Sequence, residues 1–344
     1  MTNLNLEILD CTLRDGGYVN DWRFSSGFIE KVINTLTNAR VENIECGYFI
    51  KDKKENIYGA LFNDLNFLKK DPNIDIKGKE SNFFAMVDVA KVEIDDIPNY
   101  SGQIIDTLRV VFYKHQINIA LPLIKSILDK GFKVLAQPMV TIDYSENEYI
   151  DLLRRIDSRV SMISIVDSFG NITKNELIRY IKLLDNTLDN SIGIGLHLHD
   201  NLENAILLLN NFIEYAYLIN CKRKLIIDSS LSGIGRGAGN LKTEILAYHM
   251  NELHNYEKYD IYAFLDCINT TILPLKHNHN WGSDPFTKAT ALLNVHPNYA
   301  KFLRVVDPNI SLSSFVNFIK NMPEEYRTHC RLEKTRKLYE KNNK

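Results

Sequence analysis

Eight short runs of β-forming residues recur along the first two-thirds of the chain, and stretches with helical periodicity separate most of them. The β-rich runs lie at residues 6–13, 41–49, 81–88, 107–113, 133–140, 162–169, 191–200 and 224–231. Helical periodicity lies at residues 28–39, 119–131, 149–156, 176–188 and 204–219. This alternation implies a parallel sheet, and eight units fit closure into a (β/α)8 TIM barrel better than an open sheet.

The rest of the chain adds helices to this barrel. Residues 243–254 supply a helix that closes the circle, and the connection at 92–106 contains Pro98, which predicts a poor helix or a turn. Residues 259–273 read as helix, 276–285 as loop, and 286–303, 311–321 and 324–339 as further helices. We therefore predict a catalytic barrel domain at 1–273 and a C-terminal helical extension, packed on the barrel, at 274–344.

The composition of the chain limits the classes of molecule that we expect it to bind. The formal net charge of −2 offers no basic field for nucleic acid or anionic lipid, so small molecules or other proteins are the expected partners. Five widely spaced cysteines without a CxxC pair suggest neither a disulfide framework nor a zinc ribbon. The start of the chain has no signal-peptide pattern, and no run of about 18 apolar residues occurs. We expect a cytoplasmic protein that binds neither nucleic acid nor membrane.

Two histidines in the seventh β-rich run are the sharpest single feature. Residues two apart on a strand point to the same side, so His197 and His199 direct both imidazoles toward one point. Two imidazoles and a carboxylate form a facial set that holds a divalent metal and leaves positions open for a substrate. Taken alone, the pattern fits equally well a single useful histidine with an incidental neighbour.

The end of the first β-rich run supplies an arginine and a carboxylate that could complement the two histidines. Arg14 and Asp15 stand there in TLRDGGY, and active sites of barrel enzymes lie at the carboxyl ends of the strands. Asp15 offers a metal ligand, and Arg14 offers a charge that can stabilise an enolate oxygen. An isolated Arg-Asp-Gly-Gly would instead read as an exposed turn, but polar residues also end other runs, among them Asp10, Asp167, Ser168 and Asp200, and the second run contains Glu45.

Five motifs in order, DCTLRDGG, IECG, DSFG, GLHLHDN and GIGRGAGNLKTE, resemble the DRE-TIM metallolyases. That family includes 3-hydroxy-3-methylglutaryl-CoA lyase, homocitrate and isopropylmalate synthases, and 4-hydroxy-2-oxovalerate aldolase. The resemblance implies a barrel lyase that makes or cleaves a carbon–carbon bond next to a 2-oxo acid through an enolate at a divalent metal. It is nearest to the oxovalerate aldolases, and Mn²⁺ is then the preferred metal, with Mg²⁺, Co²⁺ or Zn²⁺ as alternatives.

The resemblance also assigns residues. It implies that Asp15, His197 and His199 are metal ligands, that Arg14 contacts the oxo group or enolate, and that Glu45 orients Arg14 or a ligand water. Ser168 corresponds to a hydroxyl residue that holds the substrate carboxylate. Asn240 corresponds to an asparagine that binds metal in some members only, and a structural hydrogen bond is the alternative.

Departures from the family narrow the activity. Where the oxovalerate aldolases carry a catalytic histidine, this chain has Tyr18, which either transfers protons or only positions the substrate. The glycine-rich segment GIGRGAGN lacks the cysteine of the enzymes that cleave CoA esters. The expected substrates are therefore a pyruvate-like 2-oxo acid and an aldehyde, with a Claisen-type synthase acting on acyl-CoA as the alternative within the family.

Other classes remain as rivals. GIGRGA loosely matches a dinucleotide fingerprint but follows the eighth strand, where a phosphate-binding loop is the better reading. A barrel with a purely structural metal is the third class. His115 and Lys114 follow the fourth strand, so His115 is a candidate for substrate binding, whereas His277 and His279 fit surface residues better than a second metal site. A homo-oligomer, or a partner enzyme that consumes the aldehyde, is an open expectation.

Overall fold

The computed structural model describes residues 4–51, 59–254, 256–277, 279, 281–328 and 330–342. The outer ends of both predicted domains, at 1–3 and 343–344, lie outside these residues, as do positions 278 and 280 of the predicted loop and position 329 of the last predicted helical stretch.

Eight parallel strands close into a barrel, as the alternation predicts. The described strands are β1 Asn5–Asp10, β2 Asn43–Phe49, β3 Leu61–Phe62, β4 Asn82–Asp88, β5 Ile105–Phe112, β6 Lys133–Pro138, β7 Met162–Asp167, β8 Gly193–Leu198 and β9 Lys224–Ser229. They are ordered β1-β9-β8-β7-β6-β5-β4-β2, and β1 pairs with β2 to complete the ring. The two-residue β3 pairs in parallel with the last two residues of β2, and it is not among the predicted strands.

Helices surround the barrel and continue beyond it. They are α1 Thr12–Asp15, α2 Ser26–Asn38, α3 Ile117–Asp129, α4 Glu146–Arg155, α5 Lys174–Thr187, α6 Ala205–Leu218, α7 Thr243–His254, α8 Ile261–Cys267, α9 Leu273–Lys276, α10 Pro285–Leu292, α11 Asn298–Val306, α12 Leu312–Lys320, α13 Glu324–Arg327 and α14 Leu332–Asn342. A π-helical turn at Ile268–Ile272 joins α8 to α9. Local sequence explains several starts: Ser145 with Glu148, and Thr173 with Glu176, form capping boxes at α4 and α5.

Two connections lack an α-helix in their described part. The predicted connection at 92–106 contains a 3-10 turn at Ile94–Asp96 before β5 begins at Ile105, and it has no α-helix, as Pro98 predicts. Residues 59–80 contain β3 and a 3-10 turn at Phe67–Lys70. The barrel is therefore closed by strand pairing on this side, with thinner helical cover.

The C-terminal helices form a hydrophobic core of their own. It includes Tyr299, Leu303, Phe315 and Ile319, all of them fully buried. The predicted helical stretch at 286–303 contains two helices, α10 and the start of α11, which are separated where Asn294 adopts a left-handed backbone (φ 54°) and Pro297 follows it. The predicted boundary between 273 and 274 stays a prediction.

This extension lies against loops at the carboxyl ends of the strands. Asn171, after β7, donates from Nδ2 to the carbonyl oxygen of Ala291 at 3.0 Å. A Cβ built on Gly237, after β9, would lie 3.1 Å from the Cβ of Pro297. The extension thus covers part of the barrel end where sites form. No helix among the described residues has the length and apolar character needed to cross a membrane.

Candidate metal centre and active site

Three potential metal ligands converge at the carboxyl end of the barrel. Asp15 ends α1, His197 lies on β8, and His199 directly follows that strand. One ligand atom from each of the three lies within 4.8 Å of the other two, and all three side chains are buried. In the described part of the chain, no other group of three or more His, Cys, Asp or Glu residues comes this close.

Both imidazoles are held through Nδ1. The Nδ1 of His197 lies 2.8 Å from Oδ2 of Asp228, and the Nδ1 of His199 lies 3.3 Å from the carbonyl oxygen of Gly239. A carbonyl or carboxylate oxygen accepts, so Nδ1 is the donor in each pair and Nε2 is the nitrogen that is left for a cation. Outer partners of this kind fix the ring orientation of metal-binding histidines.

The protonation states suit a cation as well. Burial lowers the pKa of His199 to about 3, against the opposing charge of Asp15, so this imidazole is neutral near pH 7. Burial alone would raise the pKa of Asp15, but the adjacent Arg14 guanidinium holds it well below its usual range. Metal ligands must be deprotonated, and both groups already are.

Arg14 is fixed beside this group by two carboxylates. Its Nε donates to Oε2 of Glu45 at 2.7 Å, and its Nη1 donates to Oδ1 of Asp15. Its Nη2 is buried and has no hydrogen-bond partner. A buried donor without a partner is costly, so this N–H group fits a ligand oxygen in the cavity that Arg14 lines.

Sequence reasoning missed the network beneath the centre. Arg109 on β5 donates from Nη2 to Asp228 at 2.5 Å and from Nε to Gln137 at 3.0 Å, and its Nη1 lies 3.4 Å from Glu45. It therefore links the partner of Arg14 with the partner of His197. A charged or amide residue inside an apolar strand, as in TLRVVFY, KLIIDSS and KVLAQP, is the feature that could have found it.

Asn240 and Gly235 lie against Asp15 and complete the candidate metal site. The Nδ2 of Asn240 donates to Oδ2 of Asp15 at 2.6 Å, while its Oδ1 is buried without a partner. A Cβ built on Gly235 would lie 2.5 Å from that carboxylate oxygen and 2.5 Å from Asn240 Nδ2. The donor set, the partnerless oxygen and the space kept open by glycine fit a divalent cation at Asp15, His197 and His199.

Other predicted site residues lie at different distances from this centre. Tyr18 lines the cavity, and its hydroxyl lies 3.0 Å from that of Tyr48. Ser168 is buried outside the cavity lining, where its Oγ accepts from the backbone N–H of Val140 at 2.9 Å. His115 is exposed, and its ring stacks on Tyr113, which does line the cavity. The roles of all three remain predictions.

Several polar residues singled out at strand ends have structural partners. Asp10 accepts from the backbone N–H of Thr12 at 2.9 Å and from the Thr243 hydroxyl at 2.6 Å, so it anchors the start of α1. Burial raises its pKa to about 6. Asp167 accepts from the backbone N–H groups of Asn171 and Ile172, and burial raises its pKa to about 7.

A parallel barrel with this facial ligand set and a buried arginine beside it has the architecture of metal-dependent carbon–carbon lyases. The chain belongs to the HMGL-like family, whose family model matches residues 5–271. This match confirms the resemblance to the DRE-TIM metallolyases. The protein is thus a lyase of a family that uses a divalent metal.

Known proteins agree with this placement. The chain is 23% identical over 282 residues to an oxaloacetate decarboxylase of Mycobacterium tuberculosis, covering 81% of this chain and 80% of that protein. It is 23% identical over 279 residues to 4-hydroxy-2-oxovalerate aldolase 6 of Rhodococcus jostii, covering 78% and 74%. A crystal structure of the N-terminal domain of a provisionally named aldolase from Bacteroides vulgatus superposes with a TM-score of 0.76 at 28% identity, covering 90% and 99%.

The HMG-CoA lyase of Brucella melitensis shares the fold, with a TM-score of 0.62 at 15% identity, covering 80% of this chain and 100% of that one. The names of these relatives differ in substrate. They support a lyase and leave its particular substrate to be proposed.

Proposed function

We propose that the protein catalyses the reversible addition of a 2-oxo acid, pyruvate or a close relative, to an aldehyde. The observation that carries this proposal is the Nη2 of Arg14, a buried donor without a partner on the guanidinium that contacts Asp15. Enolate chemistry needs a fixed positive charge where negative charge develops on oxygen, and a structural metal site does not.

The proposed ligands of the cation are Asp15, His197 and His199, with Asn240 Oδ1 as a further candidate. A divalent cation there would polarise the keto group of the 2-oxo acid and make its C3 protons more acidic. We favour Mn²⁺ because the motifs resemble those of the family's oxovalerate aldolases, and Mg²⁺, Co²⁺ and Zn²⁺ are also compatible with mixed oxygen and nitrogen ligands.

Arg14 takes the charge that develops on the enolate oxygen. Glu45 holds its Nε and Asp15 holds its Nη1, so the guanidinium has a fixed orientation before substrate arrives. A preorganised donor pays no reorganisation cost during the reaction. Glu45 is therefore proposed as the residue that positions Arg14.

Tyr18 is the proposed acid and base. In cleavage it takes the proton from the substrate hydroxyl, the bonding pair returns to the 2-oxo acid half as its enolate, and the other half departs as the aldehyde. In condensation it returns the proton to the aldehyde oxygen. The neighbouring Tyr48 hydroxyl, at 3.0 Å, supports either this role or simple positioning of the substrate.

Ser168 and His115, which do not themselves line the cavity, are proposed to bind the substrate from beside it. The Ser168 oxygen accepts from a backbone N–H, so its hydroxyl proton remains available for a carboxylate. His115 stacks on a cavity residue, so it would contact only the part of the substrate nearest the mouth.

The test is a substrate panel run in both directions. Pyruvate and 2-oxobutyrate are incubated with short aldehydes in the presence of Mn²⁺, Mg²⁺, Co²⁺ or Zn²⁺, and the loss of the 2-oxo acid is followed by proton NMR. We expect cation-dependent condensation with at least one aldehyde, abolished by a chelator. Purified protein that retains a dinucleotide and consumes none of the pairs would contradict the proposal in favour of an oxidoreductase.

A further inference from the structure

Arg236 is a buried cation in the active-site cavity that the mechanism does not use. It lies in GIGRGAGN, after β9, with 7% of its surface exposed, and it lines the same cavity as Arg14 and Asp15. Its Nε is buried without a hydrogen-bond partner. Among the described residues, no carboxylate forms an ion pair with it, whereas Arg14 and Arg109 each contact two.

The neighbours of Arg236 do not compensate its charge. Its guanidinium lies over the Tyr18 ring, 5.4 Å from the centroid, and the other ionisable groups acting on it are Tyr113, Tyr48 and Asp15. Burial raises the pKa of Tyr48 and of Tyr113, so both are neutral near pH 7, and Tyr18 begins condensation with the proton that its proposed role as acid requires. Asp15 is already engaged by Arg14 and by Asn240. A cation–π contact offsets only part of the cost of burying a guanidinium.

The charges around the candidate metal site also leave that of Arg236 uncompensated. The two cations of the network, Arg14 and Arg109, face three carboxylates, Asp15, Glu45 and Asp228, which leaves one negative charge. A divalent cation and a 2-oxo acid with a single carboxylate bring this set to neutrality. Asp88, which also lines the cavity, has Lys91 as its own partner at 3.6 Å. Arg236 is then one positive charge in excess.

The geometry points to an anionic group on the aldehyde half of the substrate, a carboxylate or a phosphate, that is bound by Arg236. This inference rests on the proposed function. The guanidinium lies beside Tyr18, the residue proposed to act at the aldehyde oxygen, and Gly235 just before it approaches Asp15. An anionic group at the far end of the aldehyde can therefore meet Arg236 while the aldehyde carbon reacts beside Tyr18.

The covalent step is unchanged by this group. The bond forms between C3 of the 2-oxo acid and the aldehyde carbon, the C3 proton passes to a base, and an equivalent proton neutralises the aldehyde oxygen. The anion on the aldehyde takes no part in bond making. Arg236 orients the aldehyde and determines which aldehydes are used.

The first test compares matched aldehydes in condensation with pyruvate. The pairs are glycolaldehyde phosphate with glycolaldehyde, and succinic semialdehyde with butanal. We expect at least one anionic member to exceed its neutral partner by tenfold or more in kcat/KM. In Arg236→Met this ratio should fall to within about threefold, and Arg236→Lys should retain part of it.

The matched control is Arg155→Met, which removes an exposed arginine on α4 whose partners in the described part of the chain are Asp151 and Asn118. It should keep the wild-type ratio. A wild-type ratio near one for both pairs, or a ratio unchanged in Arg236→Met, would overturn the inference. The pair that responds distinguishes a phosphate from a carboxylate.

A second readout does not depend on turnover. Inorganic phosphate and succinate are titrated into the cation-loaded protein by calorimetry, and we expect at least one to bind about tenfold more weakly to Arg236→Met than to the wild type or to Arg155→Met. If Arg236→Met bound each of the two probes as tightly as the wild type does, the proposed anion site would be excluded. Selective anion binding in a protein that condenses no aldehyde with any 2-oxo acid would instead refute the proposed function and leave the site of Arg236 intact.

Discussion

His197 and His199 lie two positions apart in sequence, but a different kind of group pairs with the Nδ1 atom of each. A carboxylate, Asp228, backs His197, while the backbone carbonyl of Gly239 backs His199. A carboxylate partner makes an imidazole a stronger electron donor than a carbonyl does. Both residues should nevertheless be required for cation binding, because a facial set of three loses most of its affinity when one ligand is removed.

We therefore predict that His197→Ala and His199→Ala each lose stoichiometric binding of a divalent ion. Activity should fall together with the metal content. Elemental analysis of protein purified in Mn²⁺, with calorimetric titration of the apo form, measures this. His249→Ala, a partly buried histidine on α7, is the matched control and should keep a full equivalent. Full metal content in both active-site variants would show that the ligand assignment is wrong.

Arg14 is predicted to act on the rate and not on cation binding. Arg14→Lys keeps a positive charge but cannot meet Glu45 and Asp15 with the fixed fork of a guanidinium. We expect a fall in kcat of about 10²-fold or more, the size associated with loss of one preorganised donor, with metal content preserved. Steady-state kinetics at saturating cation decides this, and a near-normal kcat would exclude Arg14 from the reaction.

At the scale of elements, strand order and strand ends followed from sequence because their signals are local. Each of the eight β-rich runs contains a strand, and Asp15, His197, His199 and Ser168 lie near or beyond the carboxyl ends of strands, while Glu45 lies within β2. The network of Arg109 is not local, since its partners are 64 residues away at Glu45 and 119 away at Asp228. Which inward residues face each other depends on barrel register, which sequence periodicity alone does not fix.

The contacts of the glycine-rich segment GIGRGAGN are also long-range, so they could not be predicted from the sequence. The sequence of GIGRGAGN predicts a phosphate-binding loop, but Gly235 has no side chain because a Cβ there would meet Asp15 and Asn240. We predict that Gly235→Ala weakens cation binding at least tenfold, because the added methyl group must displace one of these side chains. Gly27→Ala, at the second residue of α2, is the control: nothing lies within 4 Å of its Cβ, so this change should leave cation binding intact. Calorimetry measures the binding, and equal affinities in the two variants would contradict the assignment.

At the scale of the whole molecule, the extension and the barrel are joined through the loops that carry the site. Asn171 and Gly237 contact the extension directly, and Lys288 of α10 pairs with Glu203 at 2.8 Å. Pairing across this surface could not be predicted, because the C-terminal helices carry no motif. The proposals of a homo-oligomer or a partner enzyme concern surfaces beyond these contacts.

We predict that Tyr299→Ala disturbs both parts together. Tyr299 is fully buried in the extension, and its hydroxyl donates to the carbonyl oxygen of Tyr326 at 2.8 Å. Its loss should cost roughly 3–5 kcal/mol in free energy of unfolding and raise hydrogen exchange in the loop around Gly237. Leu292→Ala, an exposed residue of α10, is the control and should change neither. Faster exchange confined to the extension would show that the two parts unfold independently.

The central claim is that the site makes a 2-oxo acid lose a C3 proton to form its enolate. The most direct measurement is deuterium incorporation into the methyl group of pyruvate in D₂O, followed by proton NMR without any aldehyde. The account predicts incorporation faster than with the cation alone, stopped by a chelator and slowed about 10²-fold in Arg14→Lys. Incorporation no faster than with the cation alone, for both pyruvate and 2-oxobutyrate, would contradict it.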